Sequence, residues 1–388
     1  MREFNYYQPT RILFGWQRVN EIGKEISRIG KSCLLVTVKS FPALQPVFDK
    51  VKRLCIEAGV EVTHFDGVVP NPDISCVKLG SEMAIENKVD VVLGVGGGSS
   101  IDTAKAVAVG ATHEGEVWDY RLGQKRVSKN RVLPIIAVPT TAGTGSEVTP
   151  MAVIKNPDEK FKSALADWSL TPRVSIVDPE LTLTLQPYIT AATGFDVFCH
   201  AFESFLHIRA SDYVDLLALE AIKRVINYLP VVVKDGSNKE AREAMSWAST
   251  LGGICITNAG TTLAHGIGMA IGGHVTDVMH GEALAALYPK VNQWTWKHAK
   301  PKYATVGRIF NPDLKNESDE VAAEESCNEM DVFLKKIGLW INLRELNVLE
   351  NQLEAIGADT MKLKNYSVHP KVPTLLEINN LILASYDK

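Results

Sequence analysis

Asp196 and His200 stand four residues apart in GFDVFCHAFE, and His265 and His280 fall in TTLAHGIGMAIGGHVTDVMHGEAL. The run DVFCHAFESFL reads as helix, where a four-residue spacing stacks two side chains on one face. His265 sits in a small-residue, glycine-rich segment, and Gly281 follows His280 at once. One carboxylate oxygen and three imidazoles suit a borderline divalent ion, Fe2+ or Zn2+, with coordination left for a substrate oxygen. The competing account makes each a satisfied polar residue of a helical core. It serves for any one histidine and poorly for four such residues beside glycine-rich segments. Cys199 adjoins His200 but points about 100° away around a helix, which suits packing.

A second chemistry lies upstream, in VDVVLGVGGGSSIDTAKAVAVGA. An apolar strand, a glycine turn and a helix opening near Ser99 to Asp102 follow one another. Gly96, Gly97 and Gly98 permit close backbone approach to a diphosphate, and the helix start offers free N–H groups and a positive dipole end. The segment matches neither the GxGxxG fingerprint nor a P-loop, and a plain tight turn is the alternative. VPTTAGTGSEVT follows the next apolar strand and brings Thr140, Thr141, Thr144, Ser146 and Thr149 to a strand's C-terminal end. Ligands of open α/β sheets bind at such ends; hydroxyl-capped turns are the alternative.

The elements that must position these groups divide the chain. Apolar runs at 32–38, 60–67, 89–97, 132–140 and 174–187 alternate with helical stretches. That pattern predicts a doubly wound, Rossmann-like parallel sheet covered on both faces. Beyond residue 187 the apolar spacing becomes helical throughout. The expected organisation is an α/β dinucleotide-binding domain over 1–187 and an all-α metal-binding domain over 188–388, closely apposed with the functional cleft between them. A chain of 388 residues with 46% hydrophobic content suits two globular domains. A formal net charge of −4 without a basic stripe argues against a nucleic-acid partner. The start, MREFNYYQPTRILFG, reads as neither signal peptide nor membrane span. Six scattered cysteines without a CxxC suit reduced thiols and a cytoplasmic location.

The motifs VVPNPD (68–73), GVGGGSSIDTAKA, PTTAGTGSEVT, DPELT, ATGFDVFCHAFESF and the two histidine segments occur in this order over nearly the whole chain. In this it resembles the iron-containing alcohol dehydrogenase family. The resemblance implies hydride exchange between NAD(H) or NADP(H) and a small alcohol, aldehyde or ketone, in a homodimer or larger homo-oligomer. It carries the metal ligands onto Asp196, His200, His265 and His280, and the diphosphate onto Gly97, Gly98 and Ser99. Thr140, Thr141 and Thr149 would line the cofactor, with Lys162 near its ribose and Asn71 near the nicotinamide end.

Two departures stand out. Many members carry an acidic residue for the adenine ribose where this chain has Val38 and Lys39. The resemblance favours NAD(H), and Lys39 leaves NADP(H) open, as a cation for a 2′-phosphate or as a solvated loop residue. Many members also carry a histidine four residues after the third ligand, where Met269 stands here. His274 is then the remaining imidazole for the pocket and the candidate proton carrier; otherwise it is a polar loop residue, and protons pass through ribose hydroxyls and water. Dehydroquinate synthases, glycerol-1-phosphate dehydrogenases and glycerol dehydrogenases share the overall design, but MHGEALAALYP fits the alcohol dehydrogenase branch better. The substrate stays open between neutral and anionic aldehydes, with His207 and Arg209 either meeting an anion or ending a helix in solvent.

Overall fold

The structure, a computed structural model, describes residues 3–128 and 131–387. They form two units, Tyr7–Leu185 and a second comprising Gln186 onward with the residues up to Tyr6.

The first unit contains eight strands: β1 (Arg11–Phe14), β2 (Ser32–Val38), β3 (Glu61–Val68), β4 (Val91–Gly96), β5 (Ile135–Pro139), β6 (Met151–Asn156), β7 (Phe161–Ala166) and β8 (Val174–Val177). Six build a parallel sheet in the order β1-β8-β5-β4-β2-β3, and β6 and β7 form a separate antiparallel hairpin. Four helices accompany them: α1 (Ile22–Ser27), α2 (Gln45–Glu57), α3 (Ile74–Glu86) and α4 (Gly98–Gly110). The apolar runs become strands because both sheet faces are covered. Along β2, Leu34 and Val36 enter one core cluster while Cys33 and Leu35 enter the other, so the four positions 33–36 are all apolar.

Two features go beyond the sequence reading. β1 is a four-residue edge strand pairing with β8, too short to register as an apolar run. The β6–β7 hairpin falls where no element was expected, and it carries Lys162 opposite Lys155. From β2 the chain first adds β3 on one side and then β4, β5 and β8 on the other. That reversal opens a crevice at the C-terminal ends of β2 and β4, the place where such sheets bind ligands. Lys39 lies just past β2 and is exposed, while Gly96–Gly98 lie just past β4.

The second unit is helical: α5 (Pro187–Leu206), α6 (Asp212–Lys234), α7 (Lys239–Asn258), α8 (Leu263–His274), α9 (His280–Thr295), α10 (Lys300–Phe310), α11 (Asp319–Lys336), α12 (Leu353–Thr360) and α13 (Leu375–Ala384). Among the described residues no single helix is long and apolar enough to cross a membrane. The α7–α8 pair reaches the necessary length only as two segments bent by 100°.

Candidate functional site

Helix α5 starts with Pro187 at a position where the missing N–H costs nothing. From Thr190 to Leu206 nearly every side chain is buried, so the helix must be apolar almost all round. Phe195, Phe198 and Phe202 supply that, packing ring against ring with Tyr288 and Tyr303 at centroid distances of 5.1–5.8 Å. The polar interruption is a single stripe: Asp196, His200 and Glu203 at i, i+4 and i+7, all buried.

Glu203 was not anticipated, although its spacing from Asp196 and His200 is the signal that would have found it. Its Oε2 accepts the Thr262 N–H at 2.6 Å and the Thr262 hydroxyl at 3.0 Å, and so caps α8. Its Oε1 lies 2.7 Å from Nδ1 of His265 and accepts the Tyr288 hydroxyl at 3.2 Å. A carboxylate on Nδ1 fixes the proton there and leaves the Nε2 lone pair for another partner. His265 Nε2 points to Asp196 Oδ1 at 3.6 Å, and His200 Nε2 lies at 3.6 Å from the same oxygen. His200 and His265 stack at 4.7 Å between ring centroids, and His265 meets His280 at 5.0 Å.

His280 opens α9. Glycine makes its approach possible. A Cβ on Gly268 would lie 3.3 Å from the His280 ring, and one on Gly281 would lie 1.9 Å from the Ala192 carbonyl oxygen of α5. The structure therefore gathers all four sequence-predicted ligands, with donor atoms of Asp196, His265 and His280 within 4.8 Å of one another.

This cluster fits a divalent ion. Ligand atoms bound about 2.0–2.2 Å from one ion lie roughly 3–4 Å apart, which is the 3.6 Å spacing found here. The buried Asp196 Oδ1 and His265 Nε2 make no hydrogen bond, an arrangement too costly to keep without an ion to join them. The electrostatics agree. Burial alone would push the Asp196 carboxyl up, but the three imidazoles outweigh it and hold it well below the usual carboxylate range. Burial likewise opposes charge on His265, yet Glu203 and Asp196 together raise it to about 9. A pocket that draws protons this strongly is one that wants positive charge.

His274 is not part of this cluster. It lies nine residues beyond His265 on α8, which is two and a half turns: the opposite face, about 13 Å along the axis. Its Nε2 is instead 2.8 Å from Asp359 of α12, whose other oxygen accepts from Lys362 at 2.7 Å. Met269, one turn past His265, is half-buried. His207 and Arg209 part company: His207 is buried at the end of α5, while Arg209 is exposed just beyond it, as a solvated helix end would be. The His207 Nδ1 accepts the Arg209 N–H, and the Arg209 guanidinium donates to the Ala259 carbonyl at the end of α7.

In the α/β unit, β4 ends at Gly96, whose φ of +149° excludes most side chains. Gly97 caps α4, and Gly98 begins it. A Cβ on Gly98 would lie 2.5 Å from Thr144, and one on Gly97 would lie 3.3 Å from Thr141. The glycine turn and the hydroxyl loop are thus packed together, tied by the Thr140 N–H on the Gly96 carbonyl at 2.9 Å. Gly97, Ser99, Thr141 and Thr144 keep accessible surface, whereas Thr140 and Thr149 are buried. Asn71 takes a left-handed φ of +50° and accepts from Lys162 Nζ at 2.8 Å, so these two predicted contacts meet each other.

A donor set made for a divalent ion and a glycine-opened helix at a topological switch point together define a metal-dependent, dinucleotide-linked oxidoreductase. The comparisons with known proteins make this specific. Residues 9–179 match the family description "Iron-containing alcohol dehydrogenase" and residues 190–386 its C-terminal part. The choline dehydrogenase of Bacillus subtilis is 35% identical, over 93% of this chain and 90% of that protein. The NAD-dependent methanol dehydrogenase of Bacillus methanolicus is 32% identical, over 97% and 98%. The crystal structure of an archaeal alcohol dehydrogenase from a Red Sea brine pool superposes with a TM-score of 0.94 at 32% identity, covering 99% of this chain and all of that one. The chain belongs to the iron-containing alcohol dehydrogenase family. It is an oxidoreductase acting on CH–OH groups, with NAD(H) and a divalent metal as cofactors. The synthase-like and glycerol-phosphate alternatives are not favoured.

Proposed function

We propose that Asp196, His200, His265 and His280 hold the metal, that Gly96–Ser99 with Thr141 and Thr144 hold the dinucleotide diphosphate, and that the substrate is a small uncharged alcohol or its aldehyde. The observation that carries the first part is the pair of buried, unbonded atoms, Asp196 Oδ1 and His265 Nε2. When bound, the ion supplies Lewis-acid polarisation of a substrate oxygen and the nicotinamide supplies the hydride. The chain's own residues do the rest. Asp196 brings one negative charge to three neutral imidazoles, leaving net positive charge at the site once a divalent ion is present. Glu203 holds the His265 ring in one tautomer and orientation, so no reorganisation is needed during reaction. The α4 N-terminus offers N–H groups and dipole to the diphosphate. No side chain is assigned as proton carrier, since His274 is committed to Asp359; ribose hydroxyls and water serve instead. An uncharged substrate is favoured by the methanol dehydrogenase and 1,3-propanediol dehydrogenases among the chain's relatives. Lys162 and Asn71 are proposed at the ribose and nicotinamide ends, with Thr140 and Thr149 shaping the loop.

Six cysteines without disulfides accord with a reducing compartment, the cytoplasm. A homodimer or larger homo-oligomer is proposed on family membership alone. The test is NADH and NADPH oxidation by metal-depleted protein reconstituted with Fe2+ or Zn2+, against neutral and anionic aldehydes. His280→Ala is expected to lose bound metal and turnover together. Retention of both by that variant would overturn the ligand assignment, and preference for anionic aldehydes would overturn the substrate reading.

A further inference from the structure

Tyr188, Ala192 and Asp196 follow one another along α5 at intervals of four residues, so they form one ridge that drifts by about 40° per step. The first turn of α9 meets that ridge in reverse order. Glu282 lies against Tyr188, whose hydroxyl donates to its Oε1 at 2.5 Å. Gly281 lies against the Ala192 carbonyl, and His280 brings a donor atom within 4.8 Å of one on Asp196. Glu282 makes a second bond: its Oε2 accepts the Met279 N–H at 2.7 Å, which caps α9 immediately before His280. The two oxygens of one carboxylate therefore tie the residue preceding His280 to the start of α5.

His280 is the ligand that needs such a tie. Asp196, His200 and His265 are buried and sit within α5 and α8. His280 is half-buried and opens its helix, directly after the stretch 275–279 in which Thr276 and Asp277 are exposed. It has no helical turn before it to hold it in place. Any excursion of His280 away from Asp196 must lift the first turn of α9 off the α5 ridge, and so must break the Tyr188 bond. Burial and the Glu282 carboxylate together push the Tyr188 hydroxyl above its ordinary range, so it keeps its proton and remains a donor. The tyrosine is 44% exposed, which leaves the hydroxyl rather than the ring as its main contribution.

We propose that Tyr188 and Glu282 are positioning residues that latch His280 in place: their hydrogen bond holds the α9 start against α5 and so slows release of the metal, without either side chain serving as a ligand. This rests on the reading of His280 as a metal ligand.

The experiment loads the full chain with Co2+ and follows its release to excess EDTA by the loss of its visible absorption. Tyr188→Phe is expected to release Co2+ about threefold to tenfold faster than the wild type, the cost of one hydrogen bond. Glu282→Ala should be faster still, because it also loses the cap of α9. Two changes that break the same bond are not additive, so Tyr188→Phe should add nothing in the Glu282→Ala background. A tyrosine that merely packs would add its full effect there. Glu282→Gln should stay close to the wild-type rate, since its oxygen keeps the Met279 N–H and its NH2 donates to the Tyr188 oxygen. Unchanged release in Tyr188→Phe, a full Tyr188→Phe effect in the Glu282→Ala background, or Glu282→Gln as fast as Glu282→Ala overturns the proposal. If Glu282→Ala does not fold, Tyr188→Phe and Glu282→Gln decide it, and a Glu282→Gln rate as fast as that of Tyr188→Phe overturns it equally. Co2+ held by His280→Ala with the wild-type spectrum and release rate overturns the ligand reading itself, and the latch with it.

Discussion

Asp196 and His265 meet through atoms that burial has cut off from water, and the nearest carboxylate beyond them, Glu203, decides which nitrogen of His265 is free. Burial would raise the Glu203 carboxyl, but His265 and the Thr262 N–H and hydroxyl hold it down at about 2, so it stays an acceptor for all its donors. In Glu203→Gln an amide NH2 must face either the Thr262 N–H or the His265 N–H. We expect metal affinity to fall about tenfold to a hundredfold, read by competition with a chelator. An unaltered affinity would mean that His265 is oriented by packing alone. A pH dependence belongs to this scale too. Burial lowers His369 and His207 to about 4, His369 lying against the Thr295 hydroxyl and His207 also opposed by Arg209. Their unfolded value is near 6.5. Between those values the unfolded chain binds protons that the native state refuses, so stability rises with pH there. It is fully present above about 6.5 and drains away as pH falls toward 4, by on the order of 3 kcal/mol for His369. Urea midpoints at pH 7.5 and pH 5 measure this; equal midpoints would refute it.

At the scale of elements, the proposed metal cluster depends on helices that approach closely because side chains are missing. Gly281 puts the first turn of α9 against the Ala192 carbonyl of α5, and a methyl there would sit 1.9 Å from that oxygen. Backbone offers no rotamer to move aside, so Gly281→Ala must push α9 off α5 and carry His280 with it. A loss of roughly 1–3 kcal/mol or more is expected, together with weaker metal binding. Calorimetry and metal analysis of the same sample check both, and a normal Tm with full metal would contradict the geometry. Elements also explain what went unread. The β6–β7 hairpin joins MAVIKN to FKSALA through a charged turn, and its mixed lysines and apolar residues match neither a buried strand nor a helix. The buried Lys105 of α4 went unread for the opposite reason, as a lone cation within the apolar run TAKAVAV.

Across the whole molecule, the two proposed chemistries are housed in different units: all four proposed metal ligands from α5 onward, and the glycine and hydroxyl loops before residue 150. Removing the metal should therefore abolish turnover while leaving NADH binding intact, since no metal ligand belongs to the dinucleotide loops. Fluorescence titration of chelator-treated protein measures this. Loss of NADH binding on chelation would show that the metal also organises the α/β unit. The kinship with a choline dehydrogenase and a methanol dehydrogenase has a physical basis at this scale. Metal and dinucleotide supply a chemistry indifferent to the rest of the substrate, and specificity is left to a few side chains.

By itself the sequence determined whatever is local. The four-residue spacing of Asp196 and His200 on a helix, the glycine turn between strand and helix, and the runs of Val, Ile and Leu that require a covered sheet all follow from backbone period and turn chemistry. The motif order then placed His265 and His280 with them. Only the tertiary structure decided which distant polar groups pair. Glu203 reaches His265 across 62 residues, and His274 finds Asp359 across 85. Lys105 gathers five oxygens from a loop some forty residues on. A buried charge takes whichever partner packing brings within reach, and packing is a property of the whole fold that no spacing along the chain records.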